Sequence, residues 1–363
     1  MKIGIITFSS AENIGALLQA YALENFLNNE LGQNAKHIEF SYRVLKGDNT
    51  ASGNNKSGVI EKIESKIHGR IRRGRFKSFK KSYISFFEKH YHETIPENAE
   101  NCDVYIAGSD QIWNTELNGK KTEFYLDFVK DKYKMAYSAS VGRELTDDDK
   151  EYVLAALRNL DKISVREPDL LCFISKYQSS SSVTVDPVFL LDRDQWKTVE
   201  HKVNTPKRYV FCYLMEASDG IVHTLRDVAK KYDASILWVN GGGVKNVDIS
   251  GRELKHIGPR EFIYLIDNSC AVVTNSFHGA AFSCVLNKPL FLVEHSKRNS
   301  RLIQLAELLH QRKNIISYKY MDPIDLENKV IGESTDMLFD SIKQSKDYLK
   351  KTLQECELRV RSR

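Results

Sequence analysis

The chain has no CxxC pair and no histidine at metal-ligand spacing from any of its six cysteines, at 102, 172, 212, 270, 284 and 356, which argues against a metal site and against a disulfide framework. Four of the six lie among apolar or small residues, the setting of buried free thiols in a reducing compartment. No apolar run is long enough to cross a bilayer. The opening Met1-Lys2-Ile3-Gly4-Ile5-Ile6 leads straight into a strand without the pattern of a signal peptide. A soluble, cytoplasmic protein is the expectation. No G-x-G-x-x-G follows the first strand, so the dinucleotide fingerprint is missing and a dehydrogenase is disfavoured. Nor is there a large excess of one charge, since 53 Lys and Arg against 48 Asp and Glu leave +5. No nucleic-acid-binding motif is present.

What is present is an ordinary globular composition, 42% hydrophobic and 28% charged. At 363 residues the chain exceeds the size at which single cores stop growing, so two domains are expected. Residues 2–8 read as an apolar strand and Ser9 to Gly15 as a polar loop. Ala16 to Asn29 carries Leu17, Leu18, Tyr21, Ala22, Leu23, Phe26 and Leu27 at helical spacing, and Lys36 to Tyr42 reads as a second strand. That is the opening of a doubly wound α/β domain. Strands at 102–107, 134–140, 162–165 and 182–185 continue it. The helices between them lie at 146–160, with Thr146 and Asp149 in capping-box register, and at 169–177. A second alternation begins with strands at 209–215 and 235–239 around a helix at 221–232. The flexible turn Gly241-Gly242-Gly243, a helix at 259–268, strands at 271–274 and 289–293, a helix at 302–310 and a strand at 314–318 follow. The expected architecture is α/β with two Rossmann-like domains facing a cleft. Residues 1–195 form the first and 206–334 the second, and 335–363 is a long polar helix packing back on the first.

Residues 44–81 interrupt the first domain. Lys46 to Gly58 is a polar, Gly/Asn/Ser-rich loop. From 56 to 81 there are ten Lys or Arg against two Glu, with Ile60, Ile63, Ile67 and Ile71 at helical spacing, and Gly69 and Gly74 are expected to break the helix. A basic amphipathic helix suits an anionic membrane surface or nucleic acid. With no nucleic-acid motif the membrane is favoured, which would put the protein at the inner face of the membrane. The plainer alternative is a solvated helix packing its Ile stripe on its own domain.

The most informative stretch is Ala271 to Glu294, a strand–turn–helix–strand unit. Its turn, Asn275-Ser276-Phe277-His278-Gly279, lies where the carboxyl end of a strand meets the amino end of a helix, the edge at which open α/β sheets bind ligands. A helix amino terminus presents unpaired N–H groups to an anion. Asn275 or Ser276 is the expected cap, His278 stands in or beside the first turn, and Gly279 lets a ligand approach the backbone. The alternative is that His278 only satisfies local backbone.

Five segments, in order, resemble the polysaccharide pyruvyl transferase family. They are Asn13-x-Gly15-Ala16-x-Leu18-Gln19-Ala20-Tyr21-Ala22-Leu23, Gly108-Ser109-Asp110-Gln111-x-Trp113-Asn114, Ile163-Ser164-Val165-Arg166-Glu167, Asp186-Pro187-Val188-Phe189-Leu190-Leu191 and Thr274-Asn275-Ser276-Phe277-His278-Gly279-Ala280. The similarity spans roughly residues 1–310 and leaves out the basic insertion. It implies a two-domain fold like that of B-type glycosyltransferases, with the donor on the second domain and the acceptor on the first. The implied reaction moves pyruvate from phosphoenolpyruvate to two hydroxyls of one sugar, forming a cyclic ketal. The acceptor would be a polysaccharide or lipid-linked repeat unit of a capsule or exopolysaccharide. No cofactor beyond that donor and no structural metal are implied, with a magnesium ion carried by the donor left open.

Such a reaction needs a general acid, a base for the hydroxyls and anchors for two anions. On the resemblance, His278 is the proton donor or phosphate partner. Ser276, Phe277 and Gly279 form its donor-binding turn. Arg166 closes over the carboxylate or phosphate with a bidentate fork, unless it only pairs with Glu167. Lys297, Arg298 and Arg301 ring the phosphate. Asn13, Gly15, Gln19, Asp110, Gln111, Trp113 and Asn114 face the sugar, with Asp110 as base and Trp113 stacking on a sugar face or, instead, packing in the core. The amides alternatively cap their own loops. Several family branches carry Arg-Leu-His-Gly at the donor turn, whereas this chain has Ser276-Phe277-His278-Gly279, so another group must supply that cation. The rival readings are a nucleotide-sugar glycosyltransferase, with Gly241 to Gly243 cradling phosphate, and a non-catalytic sugar- or anion-binding protein.

Overall fold

The structure, a computed structural model, describes residues 1–42, 59–178, 180–244, 247–296, 299–319, 325–332 and 335–361, with backbone alone at 59–65 and 361. Its first half runs β1 (Lys2–Ile6), α1 (Ile14–Asn25), β2 (Asn34–Ser41), α2 (Val59–Tyr83), β3 (Phe86–His92), β4 (Val104–Gly108), α3 (Thr115–Asn118), β5 (Tyr133–Ala139), α4 (Asp147–Asn159), β6 (Lys162–Val165), α5 (Pro168–Ile174), β7 (Ser182–Val183) and α6 (Arg193–Lys197). The second half runs β8 (Tyr209–Leu214), α7 (Asp219–Lys231), β9 (Ser235–Asn240), β10 (Arg252–Glu253), α8 (Pro259–Asp267), β11 (Ala271–Thr274), α9 (Phe277–Val285), β12 (Leu290–Leu292), α10 (Ser300–Leu308), α11 (Leu326–Lys329) and α12 (Asp336–Arg361).

The strands form two sheets, β3-β2-β1-β4-β5-β6-β7 and β10-β9-β8-β11-β12, and every pairing between these strands is parallel. The protein is therefore α/β with two Rossmann-like domains facing a cleft. β4, β8 and β11 are buried along their whole length, as expected of strands covered by helices on both faces. The strand order reverses in the first sheet at β1, which lies between β2 and β4, and in the second at β8, between β9 and β11. Ligand crevices of doubly wound sheets form at such points.

One apolar cluster crosses between the sheets. Leu17 and Leu18 of α1 and Phe76 and Phe79 of α2 are buried in it with Phe262 of α8 and Phe282 of α9. The helix α12 lies on the first sheet, where Leu349, Leu353 and Cys356 join Ile3, Ile5 and Met135 in one core.

Four local expectations are revised. α2 runs unbroken through Gly69 and Gly74, because packing of Phe76 and Phe79 outweighs two weak helix formers. Its Ile stripe does not seal the domain: Ile67 and Ile71 are exposed, and the side chains of Ile60 and Ile63 lie outside the described residues, as does the loop from 46 to 58. The segment 314–318 is no strand; a 3-10 turn over Arg312–Asn314 precedes a single bridge from Ile316 to Val293. The helix after β11 begins at Phe277, within the stretch read as the turn 275–279, so His278 sits inside its first turn. Among the described residues no helix is long and apolar enough to cross a membrane.

Candidate active site

A cleft of about 480 Å³ opens between the two domains. Its walls come from segments that follow strands: Phe8, Ala11 and Asn13 after β1, Asp110 and Gln111 after β4, Met215 after β8, Gly241 and Gly242 after β9, Asn275 to His278 after β11, and His295 and Arg301 after β12. Both crevices thus open onto one volume.

The floor of the second domain is built by β11 and the start of α9. Thr274 donates its hydroxyl to the Tyr213 carbonyl (2.6 Å) and accepts from the Ser276 amide (3.0 Å). Asn275 accepts from the Met215 amide and donates to the Glu216 carbonyl, tying the turn to the end of β8. Ser276 is the helix cap, accepting from the Gly279 amide. The amides of Phe277 and His278 are left without intrahelical acceptors, as at any helix start. Gly279 serves packing: a Cβ there would stand 2.6 Å from the Thr274 hydroxyl, so its lack of a side chain makes room for β11 rather than for a ligand.

His278 is buried, with its Nε2 making no hydrogen bond. Burial pushes its pKa down, against the pull of the Asp186 and Asp110 carboxylates, so a neutral ring is favoured. Its nearest carboxylate oxygen, Asp186 Oδ2, is 3.8 Å away. Across the domain boundary the ring lies against Gly15 of α1, where an added Cβ would be 2.1 Å from Nδ1. Gly15 therefore makes room for the His278 ring.

Arg166 is 1% exposed. Its partner is Asp186 (2.6 Å), with Ser109 Oγ accepting from Nη2 at 2.8 Å; the alternative pairing with Glu167 is not made, and Glu167 accepts from Ser140 and Gly142 instead. Nε and Nη1 of Arg166 have no hydrogen-bond partner. Its guanidinium lies 4.9 Å from the Phe277 ring centroid, and that of Arg301 lies 5.3 Å from it. Phe277 thus holds two cations close together, a cation–π arrangement that offsets part of their repulsion. Arg301 Nη1 is 3.9 Å from Asp110 Oδ1, and its Nε is buried without a hydrogen-bond partner. Gln304 of α10 donates to the Arg166 carbonyl, which links this cluster across the domains.

Asp110 reaches the cleft through an unusual backbone. Ser109 (φ 23°) and Asp110 (φ 61°) are both left-handed, a conformation that costs a side-chain-bearing residue about 1 kcal/mol or more. The Ser109 carbonyl accepts from Thr7 Oγ1 and the Ser109 amide donates to the Tyr137 carbonyl of β5, which holds the bend, and strain of this kind concentrates at functional sites.

The remaining first-domain candidates divide. Asn13 caps α1 by accepting from the Ala16 amide while lining the cleft, and Gln111 also lines it. Gln19 is fully buried and donates to Thr7 Oγ1 and the Ala16 carbonyl. Asn114 caps α3 and donates to the Val141 carbonyl. Trp113 is fully buried, its indole donating to the Phe124 carbonyl, so it is a core residue and presents no face to a sugar. Lys297 and Arg298 lie outside the described residues. Among the described residues no group of His, Cys, Asp and Glu is placed to hold a metal ion.

Sequence reasoning missed Asp186. It is 1% exposed and joins Arg166 to His278, while its other oxygen accepts from the Val188 amide; its place at the head of a family-like segment was the one signal that could have found it. Tyr213, beneath Gly241, and Tyr42 also line the cleft, and no local pattern marks them.

Among solved structures the chain is similar to the UDP-GlcNAc 2-epimerase of Methanocaldococcus jannaschii (12% identity, TM-score 0.45, covering 94% of this chain and 92% of that one). It is also similar to the UDP-N-acetylglucosamine 2-epimerase of Rickettsia bellii (11%, 0.45, 99% and 97%) and to MurG of Acinetobacter baumannii (7%, 0.42, 98% and 99%). No curated protein matches. A family model described as polysaccharide pyruvyl transferase matches residues 13–297, which takes in the cleft-lining residues named above except Phe8, Ala11 and Arg301.

Proposed function

Because this chain belongs to the polysaccharide pyruvyl transferase family, we propose that its cleft moves pyruvate from phosphoenolpyruvate to two hydroxyls of one sugar of a polysaccharide or lipid-linked repeat unit. The observation that carries the proposal is the convergence of two buried nitrogens without hydrogen-bond partners, His278 Nε2 and Arg301 Nε, beside the start of α9. Buried polar nitrogens left unpaired are costly unless a ligand satisfies them. A compact polyanion does so, and the free N–H groups of a helix start add to its binding.

In this reading the donor phosphate sits between the α9 terminus and Arg301. Arg301 then supplies the cation that other family branches carry at the position of Ser276. Phe277 and Asp110 hold Arg301 in place, and Arg166, behind His278, adds positive potential. The bound anion opposes the burial that keeps His278 neutral, so the imidazole takes up a proton as the donor enters. Protonated His278 gives that proton to the methylene carbon. The adjacent enol carbon becomes electrophilic and is attacked by a sugar hydroxyl, whose proton passes to Asp110. Phosphate leaves with its bonding pair, and the second hydroxyl closes the ketal as its proton passes to the departing phosphate. Asp186 is a positioning residue that orients Arg166 and His278.

The test is phosphate release from phosphoenolpyruvate in the presence of galactose- and mannosamine-containing acceptors, beside thermal shift with the donor alone. Wild type is expected to release phosphate only when an acceptor is present, and His278→Ala to lose at least about a hundredfold while still folding. No release together with no stabilisation by the donor, or binding of nucleotide sugars in its place, would remove the proposal and favour glycosyl transfer.

A further inference from the structure

We infer that the outward face of α2 is a docking surface for an anionic membrane. Between Lys66 and Tyr83 this helix has eight Lys or Arg and no Asp or Glu. Three of the cations turn inward: Arg72 donates to the Glu12 carbonyl, Lys80 to the Ser10 carbonyl, and Arg75 donates to the His256 carbonyl and pairs with Glu261 of α8. The other five, Lys66, Arg70, Arg73, Lys77 and Lys81, are all exposed. Their spacing of 4, 3, 4 and 4 residues puts them in one stripe along the helix. Among the described residues none of the five has a carboxylate within ion-pair distance.

Neighbours three or four apart on a helix repel when their charges are alike, so the stripe opposes its own formation unless an external anion faces it. Phe76 and Phe79, buried on the opposite side, hold the helix in place without that anion. Beside the stripe Ile67 and Ile71 are 52% and 40% exposed. Nucleic acid would use the cations and leave the isoleucines in water. An anionic lipid surface uses both, the cations at the headgroups and the isoleucines at the acyl boundary. Arg72 and Lys80 grip the loop that delivers Ala11 and Asn13 to the cleft, so the docking helix is tied to the first-domain wall of the cleft. The inference stands whether or not the donor is phosphoenolpyruvate.

The experiment is co-sedimentation of the full-length protein with vesicles of phosphatidylcholine alone and with vesicles containing about a third phosphatidylglycerol, at about 0.1 M and about 0.5 M salt. Wild type is expected to pellet with the anionic vesicles at low salt only. Each cation near such a surface is worth roughly fivefold in affinity, so Arg70→Gln, Arg73→Gln and Lys77→Gln together should weaken binding roughly a hundredfold. Ile67→Ser with Ile71→Ser should weaken it while keeping its salt dependence. Neither variant should melt below wild type, the charge variant melting at the same temperature or slightly higher as repulsion is relieved, and both should keep the turnover of a water-soluble acceptor. Three outcomes would each overturn the inference: no binding to anionic vesicles, equal binding to neutral ones, or tighter binding to random-sequence DNA at the same salt.

Discussion

His278 shows how a single side chain depends on its neighbour's lack of one. Its ring occupies the space that any side chain at position 15 would need, with three ring atoms within 2.5 Å of the position of an added Cβ. Gly15→Ala would gain about 1 kcal/mol of helix propensity and lose about 1–3 kcal/mol by overpacking, a near balance in stability. The imidazole, however, must move, and misplacing a reacting group by an ångström costs about a hundredfold in rate. The expected result is a folded protein with a melting temperature within a few degrees of wild type and turnover reduced by that factor. Wild-type turnover in Gly15→Ala would show that His278 has no positional role.

Among the elements, α4 shows how a loop of the first domain is pinned. Thr146 and Asp149 form the capping box read from the sequence. Asp149 is completely buried and also accepts from the Thr115 amide and hydroxyl, while pairing with Arg143. Burial works to raise its pKa, but the hydrogen bonds from Thr146 and Thr115 outweigh it and hold the carboxyl below its ordinary value. A depressed carboxyl contributes stability that is fully present above its unfolded-state pKa and is lost as pH falls through the folded-state value. Asp149→Asn should therefore cost about 3 kcal/mol at neutral pH, as for other broken buried pairs. In urea titrations the deficit should shrink once pH drops below the ordinary aspartate range. A deficit independent of pH would mean that shape, not charge, is what the site requires.

For the whole molecule, the two domains are joined by shared core. Leu17, Leu18, Phe76 and Phe79 pack with residues of the second domain, and α12 returns to cover the first sheet. An apolar seam of this kind couples the units more firmly than the polar interfaces that allow free domain motion. Leu353 of α12 is 3% exposed, and Leu353→Ala should cost about 2–5 kcal/mol. Because the helix is part of the first-sheet core, calorimetry should show the main transition moving down as one. An unchanged main transition with a separate early one would mean that α12 melts independently.

The alternation of strands and helices was legible in the sequence because parallel strands covered on both faces read as apolar runs, as in Cys102 to Ala107 and Ala271 to Thr274, and because caps such as Thr146 are local. The cap at Ser276 and the placing of His278 at a helix start were legible for the same reason, cap and histidine being neighbours along the chain, whereas the role of Gly279 was not. What the tertiary structure decided are the pairings between distant segments. Asp186 became the partner of Arg166 and His278, Gly15 became the wall behind the imidazole, and Phe277 became the platform for two guanidinium groups. Trp113, Gln19 and Asn114 turned inward because their polar atoms find buried backbone partners that no spacing reveals. Strand and helix periodicity is set by local backbone geometry, whereas which side of a loop meets the cleft depends on how two sheets, each organised around its own switch point, are brought face to face.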